Sequence, residues 1–474
     1  MLVGGLGRRT LIAFVVVASL LLLISVLRSG ALSPLFPLLL SAIGICSMLY
    51  YTRPGRRYYV PIVWTLFYAV GYLLAMADVL LNPETAGVAG SVTYYLIDFT
   101  FRGLLPIFSP IWWGMAGLFL AVFCCERIIP RRPEETPRHR RFASASRSSP
   151  PQALWIWFTC SAAVVLFMGR LGIGRTGLSH STVLPFKLAG ILVYLKNMVI
   201  PFIGFFLVIP TLISGTARRI YLSLALMTII GLIGSVTFLS RGFLVFVTLP
   251  PLMFLLFLPS QRPSGRRVLI GSLVGFVAVL MLMVPLVDAM RVSKYVGADA
   301  TITEIDQAMS QSSPVGALSR TTSLAVRRII GFKELVAIHS AGPLDPAAPW
   351  RVFRGDSDYT DQLQYDLWGF YQDPSGDTAF GFGFGLWGWL YLGGSNWIVF
   401  LGTWLATVLI IFFEELFIRF GVRPLAIFIA VQFGIWIWGG IDYFLLSRLI
   451  ITAIACYWLV KLWPIGGGLK PVEP

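Results

Sequence analysis

The sequence predicts an all-α fold, a polytopic membrane bundle of about twelve transmembrane helices with one large loop on its outer side. Three observations predict it. Hydrophobic residues make up 57% of the 474 residues and charged residues only 12%, where a soluble domain carries about 25% charged. The apolar residues fall in continuous runs near the roughly 20 residues that a helix needs to cross a bilayer core. The arginines gather between alternate runs, as they do on the cytoplasmic side of membrane proteins. Long unbroken runs exclude a β-barrel, whose strands alternate in polarity over about 10 residues. The net charge of +15 therefore reads as a topology signal, and no nucleic-acid partner is expected.

Taken in chain order, spans are expected at 10–27, 31–51, 59–81, 106–126, 152–170, 190–213, 220–239, 242–259, 268–287, 395–413, 424–439 and 443–462. The first follows Arg8 and Arg9 and reads as an uncleaved signal anchor. With the N-terminus inside, the inside gaps collect Arg53, Arg56 and Arg57, then Arg127 through Arg147, Arg218 and Arg219, Arg262, Arg266 and Arg267, and Arg419 and Arg423. Lys461 and Lys470 then place the C-terminus inside as well. Residues 126–150 hold seven Arg against three Glu, interleaved with Pro and Ser, and read as a disordered cytoplasmic linker. Cys46, Cys124, Cys125, Cys160 and Cys456 all lie in or beside apolar runs, which implies neither a disulfide framework nor a metal spacing.

On this reading the chain divides into 1–287 with the first nine spans, a large outer loop 288–380, and 381–474 with the last three. The loop holds eight Lys or Arg against twelve Asp or Glu, a net −4 in a chain of +15. Ser313-Pro314 resembles an N-cap with Pro at the first helical position. Leu318, Ala325, Ile329, Phe332 and Val336 follow at helical spacing, so an amphipathic helix is expected, lying on the membrane surface or capping the bundle. Residues 341–380 read as irregular, a lid or substrate loop rich in Asp, Pro, Gly and aromatics. The Gly- and aromatic-rich run Phe380 to Gly394 then returns toward the membrane, as a re-entrant or interfacial segment.

Charge near a membrane is costly and so informative. Arg170 and Arg175 flank the fifth expected span, Lys187 and Lys196 enter the sixth, Arg241 sits in a Ser-Arg-Gly turn between the seventh and eighth, Arg291 and Lys294 follow the ninth, and Arg448 lies in the outer part of the last. Cations at one depth on one side suit an anionic ligand, above all a diphosphate, because guanidinium groups bind phosphate oxygens in pairs. Long cations at helix ends also reach lipid headgroups. His339 closes the expected loop helix and suits a general base toward a hydroxyl or a complement to the helix dipole. Asp345, Asp356, Asp358, Asp361, Asp366, Asp373 and Asp377, interleaved with Trp350, Tyr359, Tyr365, Trp368, Phe370 and Tyr371, suit a carbohydrate or an aromatic belt at the bilayer interface.

These features together resemble the bacterial O-antigen and exopolysaccharide repeat-unit polymerases of the Wzy type, and the related O-antigen ligases. The resemblance rests on about twelve spans, the Ser-Arg-Gly turn at Arg241, the large outer loop after the ninth span, and the Gly388 to Gly394 segment around Tyr391. It implies a glycosyltransferase-C-like bundle in the bacterial inner membrane. It implies metal-independent inverting transfer from an undecaprenyl-diphosphate-linked oligosaccharide, with no cofactor and with a chain-length regulator as a further protein partner beside membrane lipids. It assigns the diphosphate to Arg241, Arg291, and Arg327 or Arg328 of the loop. His339 matches a loop histidine near the acceptor, and Arg170, Lys196, Arg448 and Tyr391 join the substrate contacts. A ligase differs only in its acceptor. A flippase for lipid-linked oligosaccharides is the non-enzymatic alternative, and predicts two matching halves.

Overall fold

A chain without water around it must bond its own backbone, so long apolar runs become helices. The computed structural model describes residues 5–29, 35–53, 58–81, 101–129, 151–173, 188–257, 263–295, 332–340, 345–354, 385–419 and 423–439, with single positions 56, 356, 359, 362, 363, 450, 451, 454 and 458. Every regular element among them is helical. In order these are α1 (Gly5–Ser29), α2 (Leu35–Tyr51), α3 (Val60–Tyr68), α4 (Ala75–Leu81), α5 (Phe101–Ile128), α6 (Pro151–Arg170), α7 (Leu188–Tyr194), α8 (Ile200–Ser214), α9 (Ala217–Phe238) and α10 (Arg241–Phe257). There follow α11 (Pro263–Tyr295), α12 (Phe332–Ser340), α13 (Ala348–Arg354), α14 (Leu386–Tyr391), α15 (Asn396–Arg419) and α16 (Arg423–Gly439).

Among the described residues, seven stretches of helix are long and apolar enough to cross a membrane: Gly7–Arg28, Val60–Asp78, Leu105–Ile128, Gln152–Arg170, Gly190–Ile213, Ala217–Phe238 and Asn396–Arg419. Three shorter apolar helices, Leu35–Tyr51, Gly242–Phe257 and Arg267–Met283, stand beside them. The chain is thus an all-helical, multi-pass membrane protein. Its outward faces agree, since Leu27 is 79% and Leu282 72% exposed. Each such side chain forfeits about 2 kcal/mol in water and nothing against lipid tails. The expected span 443–462 lies almost wholly outside the described residues.

Two of the spans are not continuous α-helix. Ala69–Leu74 joins α3 to α4, and Leu195–Val199 joins α7 to α8, each wound as a π-helix. A π-turn inserts an extra residue and re-aims the side chains around it.

The chain forms two compact units. Unit 1 comprises Met1–Pro130, Leu318–Glu414 and Ala430–Ser447. At one end of it Arg56 is paired with Glu126 and lies 3.7 Å from the centroid of the Tyr50 ring. The Glu414 carboxylate accepts the Tyr59 N–H at 2.5 Å and the Val60 N–H at 3.2 Å. This satisfies two of the backbone donors that open α3. Toward the other end, α12 packs on α4, on α14 and on the first half of α5. The Phe36, Phe108 and Phe332 rings stack there, with centroids 4.9 and 5.9 Å apart. Trp387 of α14 fills a notch left by Gly114, and Leu390 one left by Gly402.

The expected surface helix is corrected in part by this packing. Its described portion, α12, buries Phe332 and all of Glu334 to Ile338, so it is wedged into unit 1 and does not rest on a surface. Its earlier residues, 313–331, lie outside the described residues. The stretch read as irregular also holds a helix, α13. Asp345 accepts the Ala347 N–H through its side chain at 2.9 Å, and Pro349 stands in the first turn, where a missing N–H costs nothing.

Unit 2 comprises Arg131–Ala317, Glu415–Ile429 and Arg448–Pro474. Here α9 is central, packed by α6, α8, α10 and α11. Leu244, Met283 and Val287 form a core with Leu232 and Val236. At one end the Tyr221 hydroxyl donates to the Arg267 carbonyl at 3.1 Å, which gathers the starts of α9 and α11.

Candidate functional site

The opposite end of unit 2 is built by two tight helix stops. α6 ends with Gly172 at φ 72°, the Ile173 N–H reaching the Met168 carbonyl at 3.0 Å. This is a Schellman cap. α9 ends the same way, with the Ser240 N–H on the Ser235 carbonyl at 3.0 Å, but Leu239 holds the left-handed position at φ 52°. That conformation costs a non-glycine residue about 1–2 kcal/mol. Leu239 is fully buried, which returns about 1.5–3 kcal/mol, so burial carries the strain. The Ser235 hydroxyl then accepts the Leu244 N–H at 3.2 Å, fixing the entry of α10.

This corrects the expected Ser-Arg-Gly turn. The turn is Leu239–Ser240, and Arg241 is the first residue of α10. Arg170 is the exposed last residue of α6, whose neighbour Gly169 abuts Thr237 of α9. Lys196 does not sit at a span entrance. It lies inside the π-turn, 5% exposed, with its ammonium 4.2 Å from the Phe238 ring centroid. That contact is worth about 2 kcal/mol when desolvated. Arg291 stands one turn beyond Val287, which packs with Leu244. Arg170, Lys196, Arg241 and Arg291 thus come from four segments to one end of unit 2. Arg327, Arg328 and Arg448 lie outside the described residues.

In unit 1 the loop helices build a second surface. Trp350, Phe353 and Trp389 stack in series, with centroids 5.3 and 5.8 Å apart. The Trp389 indole N–H donates to the Pro349 carbonyl at 2.8 Å. Arg351 donates through Nε and Nη2 to one Asp356 oxygen, at 3.1 and 3.0 Å, and its guanidinium lies 3.9 Å from the Tyr359 ring centroid. The Tyr359 N–H on Asp356 Oδ1, and after it the Arg351 bond, hold the Asp356 carboxyl below the usual range. Trp350 is 54% exposed and carries Arg354 over its ring at 5.0 Å. An exposed indole beside a fixed guanidinium–carboxylate pair offers a stacking face with a donor and an acceptor, which is what a sugar ring presents for.

His339 is exposed in the last turn of α12, next to Ile338, which packs in one core with Ala348, Leu363 and Leu392. Tyr391, at the end of α14, is half-buried against the same core. Among the Asp and aromatic residues of the loop, the structure joins Asp356, Trp350 and Tyr359. Asp345 serves α13, and Asp358, Asp361, Tyr365, Asp366, Trp368, Phe370, Tyr371, Asp373 and Asp377 lie outside the described residues.

Sequence reasoning missed Glu334. It is 1% exposed and accepts the Gly385 N–H through Oε2 at 2.8 Å. Burial pushes its carboxyl well above the usual range, against the pull of that bond. No metal-holding group of His, Cys, Asp or Glu occurs among the described residues. Compared with models of protein families, with curated proteins and with solved structures, the chain matches none.

Proposed function

We propose that this protein polymerises undecaprenyl-diphosphate-linked oligosaccharide units into a surface polysaccharide. The single observation that carries the reading is the gathering of Arg170, Lys196, Arg241 and Arg291 at one end of unit 2. The three arginines among them suit a diphosphate, which holds its charge against the low dielectric nearby, while Lys196 lies buried against Phe238. The aromatic and Arg–Asp surface of unit 1 supports a glycan on the same protein.

On this reading the bundle has about twelve spans, both termini face the cytoplasm, and residues 288–380 face the periplasm of a bacterial inner membrane. The oxygen of an acceptor hydroxyl bonds to the anomeric carbon of the lipid-linked glycan. The bond from that carbon to the diphosphate oxygen breaks, and its electron pair leaves with the diphosphate. The cations stabilise the charge that develops there. The hydroxyl proton passes to water. A chain-length regulator is the protein partner expected of such a polymerase.

The test supplies lipid-diphosphate oligosaccharide to the purified protein and resolves the products by size. A ladder of lengthening glycan is expected, weakened roughly ten- to a hundredfold by Arg241→Ala and by Arg291→Ala, since each removes a charged hydrogen bond worth about 1.5–3 kcal/mol. A single transfer to a foreign acceptor would make the protein a ligase, and movement of the intact lipid across the bilayer would make it a flippase.

A further inference from the structure

At one end of unit 1 three arginines gather around a ladder of rings. Tyr50, in the last turn of α2, faces Phe119 of α5 with centroids 5.4 Å apart, and Phe123 follows Phe119 one turn on, at 6.5 Å. The guanidiniums of Arg56 and Arg53 lie 3.7 and 6.0 Å from the Tyr50 ring centroid. That of Arg127 lies 4.8 Å from the Phe123 centroid. The turn that carries the first two is bonded in place. The Thr52 hydroxyl donates to the Met48 carbonyl at 2.6 Å. The Arg53 N–H donates to the Tyr50 carbonyl and the Arg56 N–H to the Arg53 carbonyl, both at 3.3 Å.

The acid at this spot is already engaged, since Glu126 is paired with Arg56. Arg53 and Arg127 are exposed, and among the described residues neither has an acidic partner. Three guanidiniums against one carboxylate leave two positive charges at the edge of the bundle. The rings run from these charges into the lipid-facing surface. Phe119 and Phe123 are exposed. On α2, Ala42 and Cys46 are exposed as well and precede Tyr50 at four-residue spacing, so they share its face. Small side chains there, beside the rings of α5, suit an acyl chain.

A lone arginine at a helix end reaches any headgroup nearby. A fixed group of them over an apolar face selects among headgroups. Guanidiniums bind phosphate oxygens in pairs, which fits a phosphodiester. A zwitterionic lipid brings a cation of its own to two charges that lack an acid, and an anionic lipid does not. We propose that Arg53, Arg56 and Arg127 form a binding site for an anionic phospholipid, with its phosphodiester on the guanidiniums and an acyl chain along the Tyr50, Phe119 and Phe123 rings. The site goes beyond the glycan reading and shares no residue with it.

The test measures thermal unfolding of the full-length protein in an uncharged detergent, with dioleoylphosphatidylglycerol, dioleoylphosphatidylcholine or inorganic phosphate added. Wild type is compared with Arg53→Gln/Arg127→Gln. The control is Arg218→Gln/Arg219→Gln, which removes two exposed arginines from the start of α9. Phosphatidylglycerol is expected to raise the midpoint of wild type and of the control by about 2–3 °C. The Arg53→Gln/Arg127→Gln variant is expected to lose about half of that gain or more. An equal gain in all three proteins, or an equal loss in the control, reduces the effect to bulk charge and overturns the proposal. So does no gain in wild type, or a gain matched by phosphatidylcholine or by inorganic phosphate. If the variant does not fold, native mass spectrometry of wild type mixed with equal amounts of the two lipids decides. Phosphatidylglycerol retained several-fold over phosphatidylcholine supports the site, and equal retention overturns it.

Discussion

Glu334 shows what one residue can hide from a sequence. It stands between Lys333 and Leu335 in an amphipathic pattern, where a lone glutamate reads as a solvated position. Its burial is decided by α14, a segment more than fifty residues further along. The consequence is measurable. Its carboxyl stays protonated in the folded chain at pH values where the unfolded chain has released the proton, so the folded state holds more protons. Stability therefore declines as pH rises above the ordinary carboxylate value of 4.5, by at most about 1.4 kcal/mol per pH unit. Glu334→Gln keeps an acceptor for the Gly385 N–H and cannot ionise. Thermal unfolding followed from about pH 5 to about pH 8 is expected to show a falling midpoint in wild type and a flatter one in the variant. Equal slopes would place the proton elsewhere.

At the scale of elements, helix positions were readable because a membrane demands unbroken apolar runs, and α1 through α11 follow the expected spans within several residues. The details were not. Leu239 ends α9 in the left-handed region by virtue of burial, a tertiary effect, so the turn falls earlier than the glycine at 242 suggested. The π-turns at 69–74 and 195–199 leave no mark on composition. α13 did carry a signal, Asp345 ahead of Pro349, which the density of loop-forming residues around it outweighed. Glycines act as spacers between helices. A Cβ at Gly117 of α5 would stand 2.5 Å from the Phe400 carbonyl oxygen of α15, a backbone atom that no rotamer can move. Gly117→Ala is expected to destabilise by about 1–3 kcal/mol. Gly190→Ala in α7, with nothing within 4 Å, is expected to be neutral or to stabilise by up to about 1 kcal/mol through helix propensity. Paired unfolding curves check both, and equal effects would deny the close approach of α5 to α15.

For the whole molecule, composition and the spacing of arginines established the solvent. That Arg170, Arg241 and Arg291 stand near span ends was legible in the sequence, and that their helices come together at one end of unit 2 needed the packing of Leu244 on Val287 and of Gly169 on Thr237. The topology makes a direct prediction. In a cysteine-free background, Ser357→Cys in the loop is expected to react with an impermeant thiol reagent applied outside intact cells. Ser144→Cys in the basic linker is expected to react only after lysis. Labelling of Ser144→Cys from outside would invert the orientation.

The carboxylate that opens α3 has a consequence for biosynthesis. Glu414 and Tyr59 are 355 positions apart. At roughly 5–20 residues per second, a ribosome finishes α3 on the order of half a minute before it supplies the acid that completes that helix start. Until then the first helices of unit 1 wait in the bilayer with an unfinished end. The closing of unit 1 thereby waits for residue 414, after most of unit 2 has been made.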